Sequence, residues 1–399
     1  MIDVLVDMTA LNTGSRERGI GRYVRSLCLA LSARADWLDK YPDLLGRDLS
    51  VAGLVRHLGK REGAQDDSLQ FAGDYSIQTS SLRYQRHKFE RRLFMGGLLR
   101  RMDSRLVHLP DPPGTPMDRR QPRIVTCHDL IPLVLANDYL SPLPGSRLLQ
   151  RERDKARYKT AQRVIAISEA TRSDLIEHLG ILPERIDVVH HGVDHERFTP
   201  HAAPNEAAEM REALHISGPY LLYLGAGDVR KNLPLMVKAF AQSGVAQEVS
   251  LVFAGPLSKR ERERLRREAS EGGVTERIKL LGYTDEKYIA PLYRHCLAHV
   301  FPSSYEGFGL TVLEAMACGA PTLTTALSSL GEVAGDAALT LQELKVEPFA
   351  LELRRLVSDQ ALQQDLRKRG LEHARTFTWE RCAAQTLGCY QRAIDMESR

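Results

Sequence analysis

Apolar, β-branched runs alternate with helical patterns along most of the chain, which is the rhythm of βαβ units and a parallel sheet. The first run, Ile2 to Asp7, reads as a strand. In the following GRYVRSLCLALSAR, Val24, Leu27, Cys28 and Leu31 fall at i, i+3, i+4 and i+7, one face of a helix. Further strands are expected at 106–109, 124–127 (IVTC), 164–167 (VIAI) and 188–190, while residues 36–80 are poorly patterned and read as a mixed, partly flexible insert. Between 198 and 219 the strand pattern lapses and prolines gather, then YLLYLG resumes it at 220, which marks a domain boundary. A second series is cleaner, with strands at 220–224, 250–254, 278–281, 298–301 and 321–325, each separated by a helical pattern. Helical patterns run from about 347 to the end, interrupted near 376–379. Two doubly wound α/β domains in tandem follow from this order.

Composition narrows the class. With 399 residues, 43% hydrophobic and 27% charged, the chain is too long for one ordinary core and too apolar for a disordered tail. Mean hydropathy is −0.30, and no apolar run approaches the roughly 18 residues of a membrane-spanning helix. The opening MIDVLVDMTAL lacks a basic stretch before an apolar segment, which argues against a secretory signal and for a cytoplasmic protein. Six cysteines are scattered singly, as expected for reduced core residues. His191 and His195 are four apart, but Gly192, Val193 and Asp194 between them read as a turn, not a metal-binding helix face.

Net charge is +4, too small to imply nucleic-acid binding, yet residues 1–200 hold 31 Lys and Arg against 26 Asp and Glu. Residues 83–105 alone carry 8 basic and 2 acidic side chains, with Phe89, Leu93, Phe94, Leu98 and Leu99 interleaved. Such a stretch suits an anionic membrane surface or a lipid-linked substrate. An ordinary helix with its apolar side in the core fits as well, and Gly96 and Gly97 interrupt any continuous helix.

Ligands of open α/β sheets bind beyond the carboxyl ends of the strands, so residues that directly follow a strand carry the candidate chemistry. The loop Arg18-Gly19-Ile20-Gly21-Arg22 precedes the first helix, where glycines admit a ligand close to the backbone and the helix start offers N–H groups to an anion. The dinucleotide fingerprint GxGxxG is absent, and a plain strand-to-helix turn also accounts for two glycines. His128 and Asp129 stand at a strand end, where the histidine would either hydrogen-bond a substrate or, as a lone histidine often does, serve the structure. Gly225-Ala226-Gly227-Asp228-Val229-Arg230-Lys231-Asn232 follows another strand, with Asn232 expected to cap the next helix and Pro234 in its first turn. Adjacent cations in such a loop can grip a diphosphate, and a solvated Arg-Lys pair is the plain alternative.

The most informative stretch is PSSYEGFGLTVLEAMACG, residues 302–319. A strand ends near Phe301, glycines at 307 and 309 permit a close loop, and a helix begins at about Gly309 and stops before Gly319. Glu306 therefore lies on the loop and Glu314 inside an otherwise apolar helix. A carboxylate there is costly to bury without partners; the hydroxyls of a ribose would satisfy it, and so would an arginine from elsewhere.

Together these elements resemble the retaining glycosyltransferases of family 4, over nearly the whole chain. The resemblance rests chiefly on Glu306 and Glu314, which reproduce that family's E-x7-E pattern within SSYEGFGLTVLEAMACGAP. GAGDVRKN, VIAISEATRSDL followed by VVHHGVDHERF, and FTWE near the C-terminus support it. It implies the GT-B architecture, two Rossmann-like doubly wound α/β domains facing across a cleft. Residues 1–200 would take the acceptor, 201–378 the nucleotide sugar, and a helix at 379–399 would cross back to the first domain.

Carried over position by position, Arg230 and Lys231 would bind the donor diphosphate, Glu314 the ribose and Glu306 the hydroxyls of the transferred sugar. His128 would contact that sugar near the reacting centre, and Gly19 to Gly21 would approach the donor phosphates and the acceptor. The backbone amides of Phe308, Gly309 and Leu310 would complete the diphosphate pocket. Many members carry a Gly-Gly pair in the first loop where this chain has GIG, a departure on the acceptor side.

No DxD sequence occurs, so neither a metal nor another cofactor is expected; side chains and a helix dipole would neutralise the leaving diphosphate. No carboxylate is clearly placed as a nucleophile. The family's proposed same-face displacement, in which the departing phosphate accepts the acceptor's proton, is then the expected route to retention. His-Asp-Leu-Ile-Pro with Ser-Ser-Tyr-Glu-Gly-Phe-Gly resembles bacterial mannosyltransferases that extend surface polysaccharides, which makes GDP-mannose the leading donor, with UDP-sugars open. The acceptor would be a saccharide or a lipid-linked oligosaccharide, and the latter would give residues 83–105 a purpose at the inner membrane face. Two other classes share such a nucleotide site: a sugar-nucleotide epimerase or phosphorylase, and a non-catalytic nucleotide-sugar-binding protein.

Overall fold

The structure, a computed structural model, describes residues 2–12, 19–42, 49–58, 75–79, 104–112, 115, 121–140, 143 and 145–397. The chain divides into two compact units, Met1–Gly192 together with Trp379–Arg399, and Val193–Thr378.

The first unit is built on seven strands: β1 (Ile2–Asp7), β2 (Val51–Leu58), β3 (Tyr75–Thr79), β4 (Ser104–Leu109), β5 (Arg123–Cys127), β6 (Arg163–Ala166) and β7 (Ile186–Val188). All neighbours are parallel, in the order β3-β2-β1-β4-β5-β6-β7. β1 lies between β2 and β4, with Val4 opposite Val51 on one side and Leu106 on the other. Val4, Leu5, Val6, Leu106, Val107, Ile124 and Val125 are all fully buried, as expected where helices cover both faces of a parallel sheet. On one face the helix Gly19–Ser32 contributes Tyr23, Val24, Leu27 and Leu31, joined in the same cluster by Cys382, Leu387, Tyr390 and Ile394 of the helix Trp379–Glu397. On the other face Tyr158, Leu175 and Leu179 of the helices Ser146–Tyr158 and Glu169–Leu179 close the second cluster.

Two strands, β2 and β3, occupy the stretch in which the hydrophobic pattern shows none. VAGLVRHL mixes Gly, Arg and His among apolar residues and neither alternates nor runs apolar throughout, and YSIQT alternates over only five residues. Their order comes from pairing, β2 onto β1 and β3 onto β2. Residues 43–48 and 59–74 of that stretch, and 83–103 of the basic segment, lie outside the described residues.

The second unit carries β8 (Tyr220–Leu224), β9 (Ser250–Ala254), β10 (Ile278–Gly282), β11 (Ala298–Phe301), β12 (Thr322–Thr325) and β13 (Leu339–Leu341). They are again parallel, in the order β10-β9-β8-β11-β12-β13. β13 is only three residues long and gives no periodicity to read. In both sheets the chain reverses its direction of winding once, between β1 and β4 and between β8 and β11. Those are the topological switch points, where the loops leaving the carboxyl ends diverge and open a crevice. Among the described residues no helix is long and apolar enough to cross a membrane.

Candidate functional site

In the second unit the switch point is flanked by two loops, Gly225–Asn232 after β8 and Pro302–Gly309 after β11. Asp228 opens a 3₁₀ turn, Val229–Lys231, by accepting the Arg230 N–H on its carboxylate at 3.3 Å. Arg230 donates through Nη1 to Glu306 Oε1 at 2.5 Å and to the Tyr305 carbonyl at 3.0 Å. Lys231 donates through Nζ to the same Glu306 oxygen. Its ammonium also sits 4.4 Å above the centroid of the Phe301 ring, which stacks at 5.8 Å on Tyr223. Arg230, Lys231 and Glu306 are thus drawn from two loops into one cluster, and all three side chains are mostly buried.

The backbone beneath holds this arrangement. Ser304 N–H and the Asn232 side-chain amide both donate to the Arg230 carbonyl, at 2.8 Å each. Asn232 was expected to cap the following helix, but its side chain makes no cap. It adopts a left-handed conformation, φ 52°, and spends its amide on the Arg230 carbonyl and the Pro302 carbonyl, 3.1 Å away. Asn tolerates that region better than other non-glycine residues, so it serves as a staple between the loops. Gly309 begins the helix Leu310–Ala317 at φ 114°, which demands glycine, and a Cβ there would meet the terminal methyl of Leu330 at 2.8 Å, which would have to shift. No side chain caps that helix; the Val312 N–H turns back to the Gly309 carbonyl at 3.0 Å, while Leu310 and Thr311, its first two residues, have no carbonyl a turn earlier to donate to within the helix.

Burial pushes the Lys231 ammonium below the usual lysine range; Glu306 partly offsets this and Arg230 adds to it. Two cations on one carboxylate leave the trio with a single excess positive charge, with Asp228 3.7 Å from Arg230 Nε at its more exposed edge. A buried pair of this kind contributes little net stability, because desolvation offsets the attraction.

Glu314 lies in the same unit on the helix Leu310–Ala317 and is 1% exposed. The Tyr293 hydroxyl donates to its carboxylate across 3.5 Å. A ribose can reach Glu314 only if the carboxylate is uncovered.

In the first unit the sequence candidates lie on the loops that follow β1 and β5. His128 directly follows β5, and its Nε2 donates to the carbonyl of Pro110, just past β4, at 2.8 Å. A carbonyl can only accept, so the proton is on Nε2 and Nδ1 is an acceptor. Burial holds His128 below the ordinary histidine range, so the ring stays neutral. It meets Tyr23 edge-on at 5.1 Å, and Tyr23 stacks on His191 at 4.7 Å, which in turn stacks on Trp379 at 5.7 Å. Behind it a buried polar chain runs from Tyr390 Oη to His108 Nδ1 (2.7 Å) and from His108 Nε2 to Thr126 Oγ1 (2.8 Å), which lies 3.2 Å from Tyr23 Oη. Gly19 and Gly21 belong to the first turn of the helix Gly19–Ser32 instead of the loop before it. A Cβ added at Gly19 would meet open space, so packing within the unit does not require glycine there.

Ser328 and Ser329, which follow β12, were not among the candidates. Ser328 Oγ accepts the Glu306 N–H at 2.9 Å and donates to the Glu306 carbonyl at 2.8 Å. Ser329 Oγ lies 2.8 Å from the carbonyls of both Glu306 and Phe308. The strand-end rule, applied to one more strand, would have found them. Among the described residues no group of three or more His, Cys, Asp or Glu side chains is placed to hold a metal ion.

Residues 207–373 match the family of glycosyl transferases group 1, and residues 43–197 match glycosyltransferase family 4. The serotype-specific mannosyltransferase WbdA of Escherichia coli is 26% identical over 68% of this chain and 33% of its own length. A D-inositol 3-phosphate glycosyltransferase of Streptomyces bingchenggensis is 30% identical over 64% of this chain and 57% of its own. The chain therefore spans less than two thirds of the length of either relative. Among solved structures, sucrose-phosphate synthase from Thermosynechococcus elongatus superposes with a TM-score of 0.74 at 20% identity, covering 99% of this chain and all of that one.

Proposed function

We propose that this chain, which carries the group 1 and family 4 glycosyltransferase domains on the GT-B fold, transfers a hexose with retention from a nucleotide sugar to a saccharide or a lipid-linked oligosaccharide. GDP-mannose is the donor we favour, supported by the mannosyltransferase relatives. The observation that carries the reading is the cluster of Arg230, Lys231 and Glu306 at the β8/β11 switch point, where two buried cations share one carboxylate oxygen.

A diphosphate entering there meets two charge-assisted donors and the first-turn amides near Phe308, Gly309 and Leu310. As it takes Arg230 and Lys231, Glu306 is released to accept hydroxyls of the transferred sugar. Glu314 binds the ribose once uncovered. His128, neutral with Nδ1 as acceptor, takes a hydroxyl proton of the same sugar in a hydrogen bond, and Gly19, where a Cβ would meet open space, leaves room for the acceptor. In the reaction the bond from the sugar's anomeric carbon to the phosphate oxygen breaks, and one to the acceptor oxygen forms on the same face. The acceptor's proton passes to the departing phosphate. Preorganised positive charge is the main catalytic device, and no metal or other cofactor takes part. Residues 83–105 hold the enzyme at an anionic membrane face beside a lipid-linked acceptor.

A thermal-shift panel of GDP-mannose, UDP-glucose and UDP-N-acetylglucosamine, with EDTA or with Mn²⁺ and Mg²⁺, tests this. A selective rise with GDP-mannose in EDTA is the expected result. A rise that needs a divalent cation overturns the metal-free mechanism, and no rise with any of them overturns the donor site. Conversion of the donor without an acceptor would point instead to an epimerase.

A further inference from the structure

Ser328 has φ 50° and ψ −139°, in the half of the backbone map that favours glycine. A strained non-glycine residue persists only where its surroundings hold it, and such residues cluster at functional sites. Here the side chain accounts for the choice. Its hydroxyl accepts the N–H of Glu306 and donates to the carbonyl of the same residue, so one oxygen grips Glu306 on both sides of its Cα. Glycine would relax the backbone but supply no grip.

We propose that Ser328 is a positioning residue that presets the backbone of Glu306, so that its carboxylate meets Arg230 and Lys231 and can be handed to the sugar in one defined direction. The inference rests on the donor-site reading above. Ser329, whose hydroxyl lies against the carbonyls of Glu306 and Phe308, holds the next turn of the loop and leaves the Glu306 N–H to Ser328 alone. A carboxylate free to wander would still pair with the cations but would meet the sugar in fewer productive geometries, which lowers turnover more than binding.

Three variants separate positioning from folding: Ser328→Ala removes the grip and keeps the strain, Ser328→Gly removes both, and Glu306→Gln removes the group being positioned. With GDP-mannose and UDP-glucose assayed in parallel, both Ser328 variants should lower kcat about tenfold, with donor KM within about twofold, the scale of losing one or two hydrogen bonds at the reacting geometry. Ser328→Gly should melt no lower than the wild type, so lost activity cannot be lost fold. In the Glu306→Gln background, Ser328→Ala should have less than about a twofold further effect, since the two act through one group. A normal kcat for Ser328→Ala beside a defective Glu306→Gln overturns this inference alone, as does an undiminished effect in the double variant. Normal turnover by Glu306→Gln overturns it together with the role given to Glu306.

Discussion

Glu306→Gln should weaken transfer and yet tighten binding of the bare nucleotide. Glu306 Oε1 accepts from both Arg230 and Lys231, so on the proposed reading it occupies the position that the donor diphosphate would take. Displacing it from even one cation gives up a charge-assisted bond, about 1.5–3 kcal/mol. Removing the carboxylate's charge removes that competition, and GDP should bind about 10- to 100-fold more tightly. The fold should suffer in the opposite sense. Lys231 is 9% exposed, and breaking a buried pair costs about 3–5 kcal/mol when nothing replaces the lost partner. The glutamine carbonyl still accepts, so the loss should fall below that range. Glu306 also props up the lysine's already lowered affinity for its proton, and without it the ammonium discharges at lower pH. The gain in GDP affinity should therefore be largest near neutrality and fade as pH rises through the depressed lysine pKa. Calorimetric titration of GDP into wild type and variant, paired with melting curves, reads both effects. A variant that binds GDP no better than wild type refutes the reasoning that Glu306 holds the diphosphate's place.

Burial keeps His108 and His299 neutral down to about pH 3, and His128 and His191 are also held below the ordinary histidine value. The unfolded chain takes up these protons below about pH 6.5 before the folded chain does, so stability should fall as pH drops, by about 1.4 kcal/mol per unit at most for each histidine. Three of the four lie in the first unit, so calorimetry between pH 7.5 and 5 should show that unit's melting temperature falling more steeply than the other's; a flat profile would count against it. Glu314→Gln should weaken binding of GDP-mannose about tenfold or more, the scale of a hydrogen bond to a charged group, with little loss of melting temperature, and unchanged affinity would remove Glu314 from the ribose site. Replacing Arg91, Arg92, Arg100 and Arg101 by Gln should release the protein from vesicles containing anionic lipid but leave turnover of a soluble acceptor intact; equal flotation of variant and wild type would argue against the membrane role.

Much of the architecture was legible because the strands that matter are continuous apolar runs. YLLYL, SLVFA and AHVF are buried through both sheet faces, and no alternation is needed to see them. β2, β3 and β13 escaped for the reason that makes strands hard to read in general: their order is supplied by a neighbour, not by their own pattern. The candidate cations and Glu306 were legible because chemistry in this fold sits at strand ends. That both cations would share one carboxylate oxygen was not, since the contact joins residues 75 and more positions apart. Asn232 shows the same limit. Its place before a helix fits a cap, but a left-handed backbone turns its amide toward the opposite loop, and nothing local in the sequence distinguishes the two. Ser328 is hidden more deeply, because a strained serine looks like any other serine until its φ is known.

The claim on which the rest depends is that Arg230 and Lys231 grip the donor diphosphate, and steady-state turnover of GDP-mannose by Arg230→Ala and by Lys231→Ala tests it most directly. In each variant the remaining cation still pairs with Glu306, so the fold should persist while kcat/KM falls by about 10²–10³, the usual effect of removing one preorganised donor. Kinetics within about threefold of wild type for either variant would contradict the account.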